Sequence, residues 1–219
     1  MRKALFGSFA LTVVVSGCHA PKPDARPPSP TARPRPGGNT RIAPPPPSEA
    51  RRPTAGDAGW FPRAGRLSPR WSTVVVHHSA TRSGSARSFD RYHKGKGWDE
   101  LGYHFVIGNG SETPDGMIEV GARWNKQKHG AHCKTADNYF NEHGIGICLV
   151  GDFTKTRPTA RQMAALERLT TFLCATCRIP PDRVVTHGAV TRKTVCPGRN
   201  LPIGQVRRAV AASVTAAAY

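Results

Sequence analysis

The sequence predicts an α/β fold: a single domain with a central mixed β-sheet flanked by helices, preceded by a disordered Pro/Arg-rich tether. Two observations carry this. Strand and helix signals alternate along residues 70–219, the order that builds layered α/β architectures. Apolar residues fall in short β-branched runs in some segments and in a helical stripe in others. About 150 residues suffice for one hydrophobic core, and no internal repeat is evident.

Taken in order, Ser72 to His78 is β-branched and apolar, a central strand. Ser85 to His93 has the pattern of a short helix. Tyr103 to Ile107 and Met117 to Val120 read as strands separated by a Gly-rich turn over Gly108 to Gly116, with Asn109-Gly110 and Asp115-Gly116 as turn chemistry. Ile145 to Val150 is a buried strand. The clearest helix runs from about Pro158 to Arg178: Thr159 and Gln162 form a capping box, and Met163, Leu166, Leu169, Phe172 and Leu173 mark its buried stripe. A short strand, Val184 to Thr186, leads to His187. The last helix starts near Pro202, a residue suited to a first helical turn, with Ile203, Val206, Val210 and Val214 inside.

Ahead of the domain the chain changes character. Residues 1–17 read as an export signal, with Arg2 and Lys3 before an apolar core from Ala4 to Val15 that is too short to span a bilayer. Val15-Ser16-Gly17-Cys18 resembles a bacterial lipobox, which makes Cys18 the acylated new terminus. A lipid there anchors the protein to a membrane without spanning it. The expected location is the cell envelope, on a periplasmic or outer-membrane face. Residues 18–69 read as a linker: from 19 to 70 the chain holds 14 of its 20 prolines and 10 Arg or Lys. Such a segment cannot bury enough surface to offset its ordering entropy and serves as a semi-stiff tether.

Net charge is +18 overall, and from Trp71 onward 20 basic residues face 11 acidic ones, an excess of nine. That excess suits an anionic polymer. Export argues against nucleic acid and for bacterial cell wall, bound by a monomer. Besides Cys18 there are Cys133, Cys148, Cys174, Cys177 and Cys196. An exported protein can form disulfides, and with Cys196 set aside the other four allow up to two bridges of undetermined pairing. Cys148, in an apolar run, reads as a buried free thiol.

Three residues far apart carry the candidate chemistry. They are His77 in Val-Val-Val-His-His-Ser-Ala-Thr, and His187 and Cys196 in Thr-His-Gly-Ala-Val-Thr-Arg-Lys-Thr-Val-Cys-Pro-Gly. Two imidazoles and a thiolate suit zinc, and three protein ligands leave a fourth position open for water, the mark of a catalytic site. Tyr103 is a candidate polar partner to the metal. Neighbours on a strand point to opposite faces, so only one of His77 and His78, and one of Tyr103 and His104, reaches the site. His78 and His104 read as satisfied structural histidines, and Trp98 and Trp124 as core aromatics, with a place in a groove as the alternative. The chain reads as a zinc hydrolase.

Five blocks occur in a telling order: Val-His-His-Ser-Ala-Thr (76–81), Gly-Trp-Asp-Glu-Leu-Gly-Tyr-His-Phe-Val-Ile (97–107), Gly-Ala-His (130–132), Ile-Gly-Ile-Cys-Leu-Val-Gly-Asp-Phe (145–153), and His187 through Cys196-Pro197-Gly198. Together they resemble the zinc amidases that include N-acetylmuramoyl-L-alanine amidases, small bacteriophage amidase-lysozymes and animal peptidoglycan recognition proteins, over Ser72 to Pro202. The resemblance implies zinc on His77, His187 and Cys196, and Tyr103 as catalytic tyrosine. It implies a second catalytic group at Thr194, with Lys193 adjacent and able to substitute. His132 and Asn141 align with substrate-binding groove positions, and Glu119 with a recurrent acid. One branch uses a glutamate where Cys148 stands, which implies the tyrosine-type arrangement here. The implied reaction is hydrolysis of the amide between N-acetylmuramic acid and L-alanine of peptidoglycan by a zinc-activated water. Several animal members keep the groove and lose the zinc cysteine, so the alternative is a non-catalytic peptidoglycan-binding module.

Overall fold

The computed structural model describes residues 59–216, with side chains through Ser213. The export signal, Cys18, the linker up to residue 58 and the side chain of Val214 lie outside the described residues.

Five strands form one mixed sheet in the order β3-β2-β4-β1-β5. They are β1 (Thr73–His78), β2 (Phe105–Ile107), β3 (Ile118–Val120), β4 (Gly144–Leu149) and β5 (Val184–Thr186). β1 pairs in parallel with β4 and β5, β2 in parallel with β4, and β3 antiparallel to β2. β1 and β4 are buried along their whole lengths, as expected of central parallel strands covered on both faces. They hold the β-branched and apolar runs that the sequence marks most clearly.

One face carries the main core. Val74 and Val76 of β1, Phe105 and Ile107 of β2, and Ile145, Ile147 and Leu149 of β4 join one buried cluster with Leu166, Leu169, Phe172 and Leu173. Those four lie on α4 (Ala160–Cys177), whose capping box closes as predicted: Thr159 accepts from Gln162 N and the Gln162 side chain accepts from Thr159 N. Such a cap contributes about 1 kcal/mol, and each large apolar side chain buried contributes roughly 1.5–3 kcal/mol. Packing therefore outweighs capping in holding the helix. Val206 and Val210 of α6 (Ile203–Ala216) complete the cluster.

Alternation sends the neighbouring residues to the opposite face. His77 of β1 pairs with Cys148 of β4, which also pairs with Val106 of β2. Cys148, Val106, Leu101 and Val150 form a second, smaller cluster against Phe89 and Tyr103. Phe89 belongs to α1 (Ala86–Gly95), started by a capping box between Ser85 and Ser88. Glu119, the residue aligned with a recurrent acid, is half-buried. Its Oε2 accepts from Ala86 N at 2.9 Å, at the first turn of α1.

Three short helices had no periodic signal: α2 (Ala122–Asn125), α3 (Tyr139–Glu142) and α5 (His187–Thr191). The packed structure also begins ahead of residue 70. Trp60 is buried, its ring 5.4 Å edge-on from Phe172, and its carbonyl accepts from Trp124 Nε1. Residues 59–69, read as tether from their proline and arginine content, are tied down because Trp60 and Leu67 supply the apolar surface that the rest of the linker lacks.

Candidate metal centre

Parallel strands place the site at their carboxyl ends, the usual location in α/β sheets. His77 is the fifth residue of β1, and β5 runs beside it in register, with Val76 opposite Thr186. His187 follows immediately as the first residue of α5, so it emerges next to His77, ring centroids 4.6 Å apart. Cys196 reaches the same point from the loop after α5. That loop folds back because Gly188 N donates to Cys196 O at 2.7 Å, and a Cβ on Gly188 would lie 2.6 Å from Thr194 O.

The ligand atoms of His77, His187 and Cys196 lie within 4.8 Å of one another, and His77 Nδ1 is 3.9 Å from Cys196 Sγ. Zinc bonded to nitrogen at about 2.05 Å and sulfur at about 2.3 Å spaces tetrahedral ligands about 3.3–3.6 Å apart. The donor set and its spacing therefore fit a borderline-soft divalent ion such as zinc. Electrostatics agree. Burial holds His77 well below the usual histidine range, reinforced by His132 and His187, and burial also lowers His187. Both rings are neutral at pH 7 and offer lone pairs. Burial pushes the Cys196 thiol up to about 11, so metal binding there displaces a proton. His78 N donates to Cys196 Sγ at 3.4 Å and helps the sulfur carry charge.

A cleft of about 570 Å³ opens over this floor, lined by Tyr103, His132, Asn141, His187, Lys193 and Thr194 among others. Tyr103, His132, Asn141, Lys193 and Thr194 thus share one cleft with His187. Tyr103 is packed against Cys148, and burial together with the Cys148 and Cys196 thiols raises its hydroxyl well above the usual phenol range. It stays protonated and able to donate. Thr194 Oγ1 accepts from Cys196 N at 3.2 Å, bracing the ligand loop. Lys193 sits on the exposed lip.

His132 and Asn141 use their polar atoms within the protein. His132 Nδ1 is 3.0 Å from His77 Nε2, and its Nε2 is 3.2 Å from Gly144 O. Asn141 Oδ1 accepts from the backbone N–H of both His132 and Cys133, and Asn141 Nδ2 donates to Asn138 Oδ1. His78 and His104 are satisfied away from the cleft. His78 Nδ1 accepts from Phe153 N, while His104 accepts from Gly146 N and donates to Lys128 O.

Trp98 departs from expectation. Trp124 is in the core, but Trp98 is 42 % exposed and lies on the cleft wall, stacked on His93 at 4.5 Å and 25°. The signal was present: Trp98 follows Gly95-Lys96-Gly97 after α1, outside any apolar period. Cys133 lines the cleft as well, and all five described cysteines are unbridged.

The comparisons agree with this architecture. Residues 67–199 match the Amidase_2 family, described as N-acetylmuramoyl-L-alanine amidase. The endolysin of Enterobacteria phage K11 is 33 % identical over 138 residues, which cover 59 % of this chain and 82 % of the endolysin. Among solved structures, the N-acetylmuramoyl-L-alanine amidase LysC from Clostridium intestinale superposes with a TM-score of 0.54 at 29 % identity, covering 65 % of this chain and 88 % of that one. A Drosophila PGRP-LB mutant in complex with tracheal cytotoxin gives 0.51 at 25 % identity, covering 69 % and 89 %. With the match running from ahead of β1 to the loop beyond Cys196, the chain belongs to the N-acetylmuramoyl-L-alanine amidase family.

Proposed function

We propose that this protein is a zinc-dependent N-acetylmuramoyl-L-alanine amidase that cleaves the bond between N-acetylmuramic acid and L-alanine in peptidoglycan. The observation that carries this is the meeting of His77, His187 and Cys196, with His187 and a protonated Tyr103 lining an open cleft. Zinc on those three ligands would polarise the scissile carbonyl and lower the pKa of its water toward about 7. Tyr103 donates a hydrogen bond to the oxygen that gains charge as the carbonyl carbon becomes tetrahedral. Thr194 holds the Cys196 loop, and Lys193 places a positive charge on the lip facing an anionic substrate. The charge excess of the domain supports a wall polymer as partner, as does the complex with tracheal cytotoxin formed by the Drosophila relative.

We further propose that Cys18 carries the lipid and that residues 18–58 tether the domain to an envelope membrane, so that it works on the wall from a fixed surface. The experiment is digestion of purified peptidoglycan with zinc-loaded protein, followed by mass analysis of the products. Free stem peptides beginning with L-alanine are expected, and Cys196→Ala should release none. Tight sedimentation with peptidoglycan at saturating zinc without any product would instead establish a binding module.

A further inference from the structure

We infer that His132 is a positioning residue whose ring fixes His77 in the one tautomer that aims Nδ1 at the metal. The inference rests on the metal-site reading above and concerns how this chain builds the site before any ion arrives.

A line of hydrogen bonds runs from the Gly144 carbonyl through His132 to His77. Gly144 O, 3.2 Å from His132 Nε2, can only accept, so Nε2 carries the proton. His132 is buried, and its ring nitrogens face only Gly144 O and the His77 ring, with no carboxylate to hold a second proton, so the ring is neutral. A neutral imidazole has one N–H, so His132 Nδ1 is a bare acceptor. Its partner at 3.0 Å, His77 Nε2, must then be the donor. That leaves His77 Nδ1 unprotonated, and it is this atom that lies 3.9 Å from Cys196 Sγ. The opposite tautomer of His77 would place a proton at the metal position and two lone pairs against each other at 3.0 Å.

Two sequence blocks and Asn141, which a substrate-contact role leaves unexplained, serve to hold this ring. A Cβ on Gly146, in Ile145-Gly146-Ile147, would lie 2.6 Å from His132 Nε2, and so would a Cβ on Gly130, in Gly130-Ala131-His132. The imidazole thus occupies the space that two side chains would fill. Asn141 fixes the backbone beneath it by accepting from His132 N at 2.8 Å and Cys133 N at 2.7 Å. The peptide, the ring plane and the acceptor are all set by groups outside the ligand shell. Such outer partners typically contribute about ten- to a hundredfold to metal affinity.

The test uses the full chain with His132→Leu, which removes the acceptor, His132→Asn, which returns an oxygen near the Nδ1 position, and Gly146→Ala, which displaces the ring without altering it. Zinc affinity is read by chelator competition. The His77 tautomer is read by ¹⁵N NMR on metal-free protein, with circular dichroism as the check on folding. The expected result is wild-type His77 protonated at Nε2 only. Zinc affinity should fall about ten- to a hundredfold in His132→Leu and Gly146→Ala, with part recovered in His132→Asn. Wild-type zinc affinity in folded His132→Leu, or His77 protonated at Nδ1 in the metal-free wild type, would overturn the inference. If His132→Leu does not fold, Gly146→Ala and His132→Asn decide by the same criteria. Because the tautomer is measured without metal, it decides the relay even if the wild type takes up no zinc, a result that would sink the metal reading instead.

Discussion

The ring of Tyr103 sits 5.2 Å from that of His77, centroid to centroid, with 56° between their planes. Tyr103 flanks His77 without belonging to the donor set, packed against the cluster that holds Cys148. Removing the hydroxyl therefore leaves the metal site intact and deletes one donor to the developing charge. Tyr103→Phe is expected to lower kcat about 100-fold or more with zinc stoichiometry unchanged. Steady-state kinetics on a soluble muropeptide and metal analysis of the same sample check it; equal losses of metal and activity would contradict it.

Thr194 and Lys193 are adjacent but separable. Thr194 Oγ1 accepts from Cys196 N at 3.2 Å and so positions the sulfur ligand, whereas Lys193 projects from the lip. Thr194→Ala removes one ordinary hydrogen bond and should weaken zinc about three- to tenfold. Lys193→Ala should leave zinc affinity at the wild-type value and act on substrate turnover alone. Chelator competition on the two variants side by side distinguishes them.

The parts of this fold legible in the sequence are those whose physics is local. β1 and β4 are unbroken apolar runs, and α4 declares both its cap and its buried stripe. The grouping of His77, His187 and Cys196 was suggested by chemistry, a thiol and two imidazoles; strand alternation allowed only one of His77 and His78 at the site, and the family resemblance chose His77. The His77–His132 contact joins residues 55 apart, and nothing in either neighbourhood predicts it. α2, α3 and α5 hold four or five residues each, too few to establish a period. Composition misplaced residues 59–69, because one buried tryptophan outweighs several prolines, and of the two readings open for Trp98 the groove, not the core, is where the structure places it.

That exposure has a consequence for substrate affinity. Trp98 presents a ring face on the cleft wall, held by stacking on His93, whose Nδ1 accepts from Gly102 N at 3.1 Å. A flat aromatic ring in the same cleft as Lys193 and Thr194 suits a ligand with both apolar and polar groups. Trp98→Ala is expected to raise KM about three- to tenfold, the worth of one aromatic contact, with kcat and zinc content unchanged. Trp98→Phe should recover most of the loss. An unchanged KM in Trp98→Ala would remove this residue from the substrate surface.

Acid should unfold the metal-free protein earlier than its carboxylates alone would predict. His77, His104 and His132 are buried with all three rings held below the usual value of 6.5, foremost by burial, and for His104 and His132 also by the Arg123 charge. A base whose folded pKa is depressed binds fewer protons in the native state than in the unfolded one. Its stabilising contribution is complete above the unfolded pKa and declines as pH falls below about 6.5. For His132 the decline continues until about pH 3. Each such group costs up to about 1.4 kcal/mol per pH unit in that window. Urea unfolding in chelator at pH 7, 6 and 5 should thus show a loss over each step, about twice as large over the second as over the first. His104→Gln should lower absolute stability, since it disturbs the bonds to Gly146 N and Lys128 O, while reducing the steepness by about one group in three. A stability that stays level from pH 7 to pH 5 would mean that water or an alternative packing reaches these rings, and the neutral relay behind His77 would lose its electrostatic basis.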